Sequence, residues 1–241
     1  MFEAIVAAVA VIAGMVASVV GFGIGSLLTP TLATQMDMKL AVAAVSVPHL
    51  AATAYRLWLV REHVDRSVFK SFGLTSAIGS LVGAVAGALW GNEGLGAVLA
   101  ALLLFVGIGG LTGWTDRMQF HGKARWVAGL ASGVFGGLVG NQGGVRSAAL
   151  LGFDLNKLAF VATATASGVI VDLARMPVYV GLQWSELTAQ WPLIAIATVG
   201  CLVGTVVGKP LLARVPQASF RKVVCAVLIA TAVFVIVRFV A

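Results

Sequence analysis

The sequence predicts an all-α integral membrane protein of two inverted repeats, each a glycine-broken re-entrant hairpin followed by three transmembrane helices. Three observations predict it. First, the 241 residues are 60% hydrophobic and only 10% charged, with mean hydropathy +1.02. A soluble domain carries about 25% charged residues, so this chain cannot cover itself with polar groups and its solvent is lipid. Second, apolar stretches of roughly 20 residues, the length that spans a bilayer, recur at 40–60, 69–91, 94–114, 157–181, 187–208 and 219–240. Two further apolar segments, 3–34 and 125–152, are each interrupted by glycines.

The third observation is an internal repeat. Shifted by 119 residues, Gly14 falls on Gly133, Gly21 on Gly140, Gly25 on Gly144 and Arg56 on Arg175. After a two-residue slip, Ser80-Leu-Val-Gly83 matches Cys201-Leu-Val-Gly204, and Gly87 matches Gly208. Repeat 1 covers about 1–115 and repeat 2 about 124–241 of a single membrane domain, 1–241. Such repeats are the usual build of secondary transporters. If both glycine-broken segments crossed fully, there would be eight spans with parallel repeats. The basic gap 209–222 would then face away from the basic gap 56–70, against the positive-inside tendency. If each segment enters and returns on one side, the gaps 56–70, 117–125 and 209–222 all face the cytoplasm. With Lys157 they hold twelve of the sixteen Lys and Arg residues. Lys39, Glu3, Glu93 and Glu186 remain outside, with Arg238 and Arg175 near that boundary, and both termini are outside. The net charge of +7 therefore reads as membrane anchoring, and no nucleic-acid partner is expected.

Taken in order, residues 3–20 form a first half-helix with no basic n-region before it. Gly21-Phe-Gly-Ile-Gly25 breaks it, because glycine is a poor helix former. Ser26 is placed to cap a return half-helix, which Thr29-Pro30 bends or ends, and 35–39 form a polar turn. The span 40–60 carries Pro48-His49 and should kink at the proline. Arg56, near its cytoplasmic end, reads as an anchor, and 61–67 form a charged connector. The span 69–91 has a small-residue stripe at Gly79, Gly83 and Gly87 that lets another helix approach closely. The aliphatic span 94–114 ends at Trp114. The second hairpin runs from Arg125 to Val139, breaks at Gly140-Asn-Gln-Gly-Gly144 and returns to about Phe153. Span 157–181 carries Asp172 and Arg175 on one face, and Trp184 and Trp191 flank span 187–208, which repeats the stripe at Gly200, Gly204 and Gly208. The stripes serve either internal packing or a homodimer. Cys201 and Cys225 lie inside spans and read as small apolar packers.

The chemistry gathers at the breaks. Irregular backbone at membrane depth is tolerated only inside protein or beside a watery cavity. The N–H groups that open a return half-helix attract an anion. In the second hairpin, Gly143 and Gly144 allow close approach, Asn141 and Gln142 supply amide donors, and Arg146 adds a charged fork suited to oxyanions. The first hairpin contributes Gly23, Gly25 and Ser26, with Leu27 where the second has Arg146. Asp172 and Arg175 read either as a structural ion pair or as residues of gating, proton coupling or ligand binding. His49 reads as a proton relay or as a partner for the carbonyl that Pro48 frees. No nucleophile elbow, phosphate loop or metal-ligand spacing occurs, so neither an enzyme nor a cofactor or metal is expected.

The pattern Gly14-x6-Gly21-Phe-Gly-Ile-Gly25-x4-Pro30, with Gly129-x3-Gly133-x6-Gly140-Asn-Gln-Gly-Gly144, resembles the sulfite exporter TauE/SafE family across nearly the whole chain. It departs at Gly23-Ile-Gly25, where the family tends to a triple glycine, and at Gln142 and Ala149. The resemblance implies transport of sulfite, sulfoacetate or other sulfur-containing and organic anions through the cytoplasmic membrane, with proton coupling. The expectation is a secondary transporter working by alternating access, with the anion between the hairpin tips. An anion channel or a non-transporting scaffold is the alternative.

Overall fold

A computed structural model of the chain describes residues 1–20, 23–114, 122–141, 143–151, 153, 155–212 and 217–239. These residues are almost entirely helical, with no strand among them. The order is α1 (Phe2–Val20), α2 (Ile24–Leu32), α3 (Met38–Val60), α4 (Arg66–Val68), α5 (Leu74–Leu89), α6 (Asn92–Thr112), α7 (Ala124–Val139), α8 (Gly143–Leu151), α9 (Lys157–Ala189), α10 (Trp191–Leu212) and α11 (Gln217–Phe239). Among the described residues, five helical stretches are long and apolar enough to cross a membrane: Met38–His63, Arg66–Leu89, Asn92–Thr112, Leu158–Ala189 and Trp191–Gly208. Their outer faces are apolar, as Ile78, Leu81, Val82 and Val85 on α5 and Val199, Val203, Val206 and Val207 on α10 illustrate. The molecule is an integral membrane α-protein.

Both predicted breaks occur. α1 stops at Val20, and α2 starts after Gly23, whose φ of 138° lies where a side chain is strained. α7 stops at Gly140 with φ 70°. α2 and α8 have nine residues each. At 1.5 Å per residue they reach about 14 Å, half of the roughly 30 Å core. Neither can cross alone, and each packs against the helix before it.

Some local expectations need correction. Ser26 does not cap α2: the cap is Gly23 with no side-chain bond, and Ser26 sits inside the helix with its hydroxyl turned to Asn141. Pro30 does not end α2, which runs to Leu32, since one proline removes a single ladder bond and the Thr29 carbonyl still accepts from Ala33. The predicted end of the span near 181 shows as a kink at Gln183, where α9 leaves helical angles, and helical turns instead of a loop run on from there to Ala189. The span from 69 begins earlier, at Arg66, through a π-turn at Phe69–Gly73. Arg175 is buried, with 1% exposure.

The glycine stripes are used inside the chain. α5 packs on α7 and α10 on α1, with backbone against backbone. A Cβ on Gly133 would strike the Ser76 carbonyl, and one on Gly204 the Val11 carbonyl. Contacts also give directions. Gly79 meets Leu130, Gly83 meets Val134 and Gly87 meets Leu138, so α5 and α7 run parallel. Gly200 meets Ala7 and Ala10, Gly204 meets Val11 and Met15, and Gly208 meets Met15, so α1 and α10 run parallel. His49 meets Asp172 and Thr53 lies against Gly168, so α3 and α9 run antiparallel. Gly107 meets Ile229 and Gly110 meets Cys225, so α6 and α11 run antiparallel. Cys201 and Cys225 are buried free thiols, as packers should be.

Candidate anion site

The two breaks meet. A Cβ on Gly25, at the start of α2, would strike the Gly140 carbonyl at the end of α7. Beside that contact the Ser26 hydroxyl donates to Asn141 Oδ1 at 3.2 Å. Gly23 opens α2, and Gly143 and Gly144 open α8. The positive ends of both half-helix dipoles therefore lie at the breaks. Gln142 lies outside the described residues, as do Gly21 and parts of the basic loops 117–125 and 209–222.

Each long half-helix ends at an arginine. Arg175 donates through Nη1 to the Gly136 carbonyl at 2.6 Å, and Arg56 donates through Nη1 to the Ala17 carbonyl. Ala17 and Gly136 stand 119 residues apart, as do Arg56 and Arg175. Arg56 is thus an interior ligand of a helix terminus and not a headgroup anchor, because the α1 C-terminal carbonyls have no next turn to satisfy them. Arg56→Ala should cost about 1–3 kcal/mol, the penalty of an orphaned buried acceptor. Thermal unfolding in detergent checks this, and Arg56→Lys should recover part of the loss.

The Arg175 side is elaborated. Its Nη2 lies 2.7 Å from Asp172 Oδ1, and its Nε donates to the same oxygen at 3.0 Å. His49 Nδ1 lies 2.6 Å from Asp172 Oδ2, so both carboxylate oxygens are engaged. Below the guanidinium, the Tyr179 ring centroid is 5.7 Å away, and its hydroxyl donates to the Gly137 carbonyl. His49 therefore bonds a carboxylate and not a carbonyl freed by Pro48. The Asp172–Arg175 pair is present, and it is also the clamp that holds the α7 terminus.

Arg146 is 1% exposed. Its Nη1 packs against Gly168 of α9, where a Cβ would come within 2.8 Å, and the Thr53 methyl touches the same spot. Asp172 and Arg175 lie within its electrostatic reach, and Arg146 lies within that of Arg56. Three arginines and His49 thus surround one acid, and Asp172 is the only buried carboxylate among the described residues. Around them, Asn141 Nδ2, Thr29 Oγ1, Thr53 Oγ1 and Ser132 Oγ are buried with no hydrogen-bond partner among the described atoms. Cationic groups are thus in excess over acids around Asp172, and a buried donor without a partner carries a desolvation cost.

The sulfite exporter TauE/SafE profile matches residues 6–235. The chain belongs to the TauE/SafE family. No curated protein and no solved structure matches it. The family description agrees with the multi-pass helical architecture and with the cationic interior of this TauE/SafE protein. Among the described residues no group of His, Cys, Asp or Glu could hold a metal ion.

Sequence reasoning missed the roles of Thr53, Gly168, Tyr179 and Arg56. A signal existed. Lys39, Ser46, His49, Thr53 and Arg56 recur every three, four or seven residues along α3, and Gly168, Asp172, Arg175, Tyr179 and Gln183 every three or four along α9. Each set occupies one helical face. Because α3 and α9 run antiparallel, the two faces form one polar track.

Proposed function

We propose that this TauE/SafE-family protein is a secondary transporter of a small oxyanion of the sulfite and sulfonate class, working by alternating access. The observation that carries the reading is the cluster of Arg56, Arg146, Arg175 and His49 around the single acid Asp172, beside the meeting of the two breaks. Arg146, Asn141, Gln142, Gly143, Gly144, Gly23, Gly25 and Ser26 are proposed to hold the anion. The half-helix dipoles and buried donors favour it there.

The helix directions support inverted repeats. A helical hairpin reverses direction at its loop, so α3, α6, α1 and α10 run one way and α5, α9, α7 and α11 the other. Every helix of the first half then opposes its counterpart in the second. In the proposed orientation the basic loops face the cytoplasm and both termini lie outside.

The test is flux and binding of sulfite and sulfonates with purified protein in proteoliposomes. Loss of one charge-assisted contact is worth about 1.5–3 kcal/mol. Arg146→Ala should therefore weaken anion binding roughly ten- to a hundred-fold, with Arg146→Lys in between. Unchanged binding of every transported anion in Arg146→Ala would overturn the assignment, and non-saturating flux would mark a channel.

His49 is proposed to carry the coupling proton in exchange with Asp172, facing Arg175 of α9 and Arg146 of α8. His49→Gln should flatten the pH dependence of flux while anion binding persists. Flux that keeps its full pH dependence would exclude His49 from coupling.

A further inference from the structure

We infer that the cleft where α5 leaves α7, lined by Lys39, Val42, Gly87, Tyr179, Leu182 and Gln183, is an anion-admitting vestibule that leads to Arg175. This rests on the anion-transport reading above and adds the route by which the anion reaches the site.

The polar track has two ends. At one end Arg56 and Arg146 are held inside the protein. At the other stand Lys39 of α3 and Gln183 of α9, both half-buried, at the mouth of the cleft. The Lys39 ammonium donates to the Ala88 carbonyl at 2.9 Å, which fixes a positive charge where an anion would enter. Tyr179 lines the cleft, and the Arg175 guanidinium lies 5.7 Å from its ring centroid. A small anion moving inward passes from one cation to the next with Tyr179 between them. Gln183, the residue at which α9 leaves helical angles, lies on the wall.

The cleft exists because the α5–α7 interface loosens along its length. α5 hugs α7 at Gly79 and Gly83, where an added Cβ would strike the Leu130 and Val134 carbonyls. It then diverges: at Gly87 the nearest atom is the Leu138 carbonyl oxygen, 3.3 Å from such a Cβ. The α10–α1 interface repeats the tight pair in the same register: Gly204 meets Val11 as Gly79 meets Leu130, and Gly208 meets Met15 as Gly83 meets Val134. Gly87 lies one turn beyond that pair, and there α5 and α7 part.

The experiment places single cysteines at Ala88, at the mouth, and Ala84, on the buried wall, in a background with Cys201 and Cys225 replaced by alanine. Anionic and cationic methanethiosulfonates of equal size are applied from each face of sealed vesicles. Both cysteines should react from one face only, faster with the anionic reagent, and Lys39→Gln should lower the anionic-to-cationic rate ratio several-fold. If Ala84→Cys does not fold, Val42→Cys on the facing wall takes its place. Cysteines unreactive from either face, or a rate ratio that Lys39→Gln leaves unchanged, would overturn the vestibule. A protein that transports anions with no charge-selective labelling loses the vestibule alone. Charge-selective labelling without any anion flux or binding upholds the vestibule and sinks the transport reading.

Discussion

Arg175→Ala should be the most damaging single substitution in this protein, lowering stability by about 3–5 kcal/mol, the cost of breaking a buried ion pair by removing one partner. Asp172 is fully buried, and without Arg175 only His49 would remain bonded to its carboxylate. The same change strips the Gly136 carbonyl of its donor at the end of α7, so the second break loosens as well. The attribution has an internal check. Asp172→Asn in the Arg175→Ala background removes the stranded charge and should restore part of the loss, giving a coupling energy of about 0.5–3 kcal/mol in a double-mutant cycle. Thermal or denaturant unfolding in detergent measures all three variants. A loss under about 1 kcal/mol for Arg175→Ala would mean that the pair is not the clamp described.

The second large effect is expected at Gly25. An alanine Cβ there would overlap the Gly140 carbonyl, which is backbone and cannot rotate away. The hairpin tips must separate, breaking the Ser26–Asn141 bond. Overpacking of this kind costs about 1–3 kcal/mol. Because the tips border the proposed anion site, flux should fall further than stability accounts for. Gly181→Ala is the control. It lies in α9 with nothing within 4 Å of an added Cβ, so the substitution should be neutral or stabilising by up to about 1 kcal/mol through helix propensity. Equal behaviour of the two alanine variants would show that the close approach of the tips has no role.

Much of the architecture is legible in one dimension because the bilayer enforces it. Spans must be about 20 residues long and apolar, and a break at membrane depth must be glycine-rich and sheltered. The breaks at Gly21–Gly25 and Gly140–Gly144, and the packing stripes at 79–87 and 200–208, are visible for that reason. The boundary at Arg66 was less legible. Polar residues there suggested a loop, while nothing in the local sequence stops a helix.

By itself, then, the sequence determined a membrane-embedded helical protein with two glycine breaks and an arginine in the second. The tertiary structure alone decided which groups face one another. Arg56 resembles any span-end arginine until Ala17, thirty-nine residues earlier, is seen to end a helix beneath it. His49 and Asp172 stand 123 residues apart, and no local pattern joins them. The antiparallel docking of α3 and α9 joins them, because two polar faces with matching spacing must face each other to escape lipid. A residue's own stretch sets its secondary structure and depth, whereas the partner of a buried charge is set by which helices pack together.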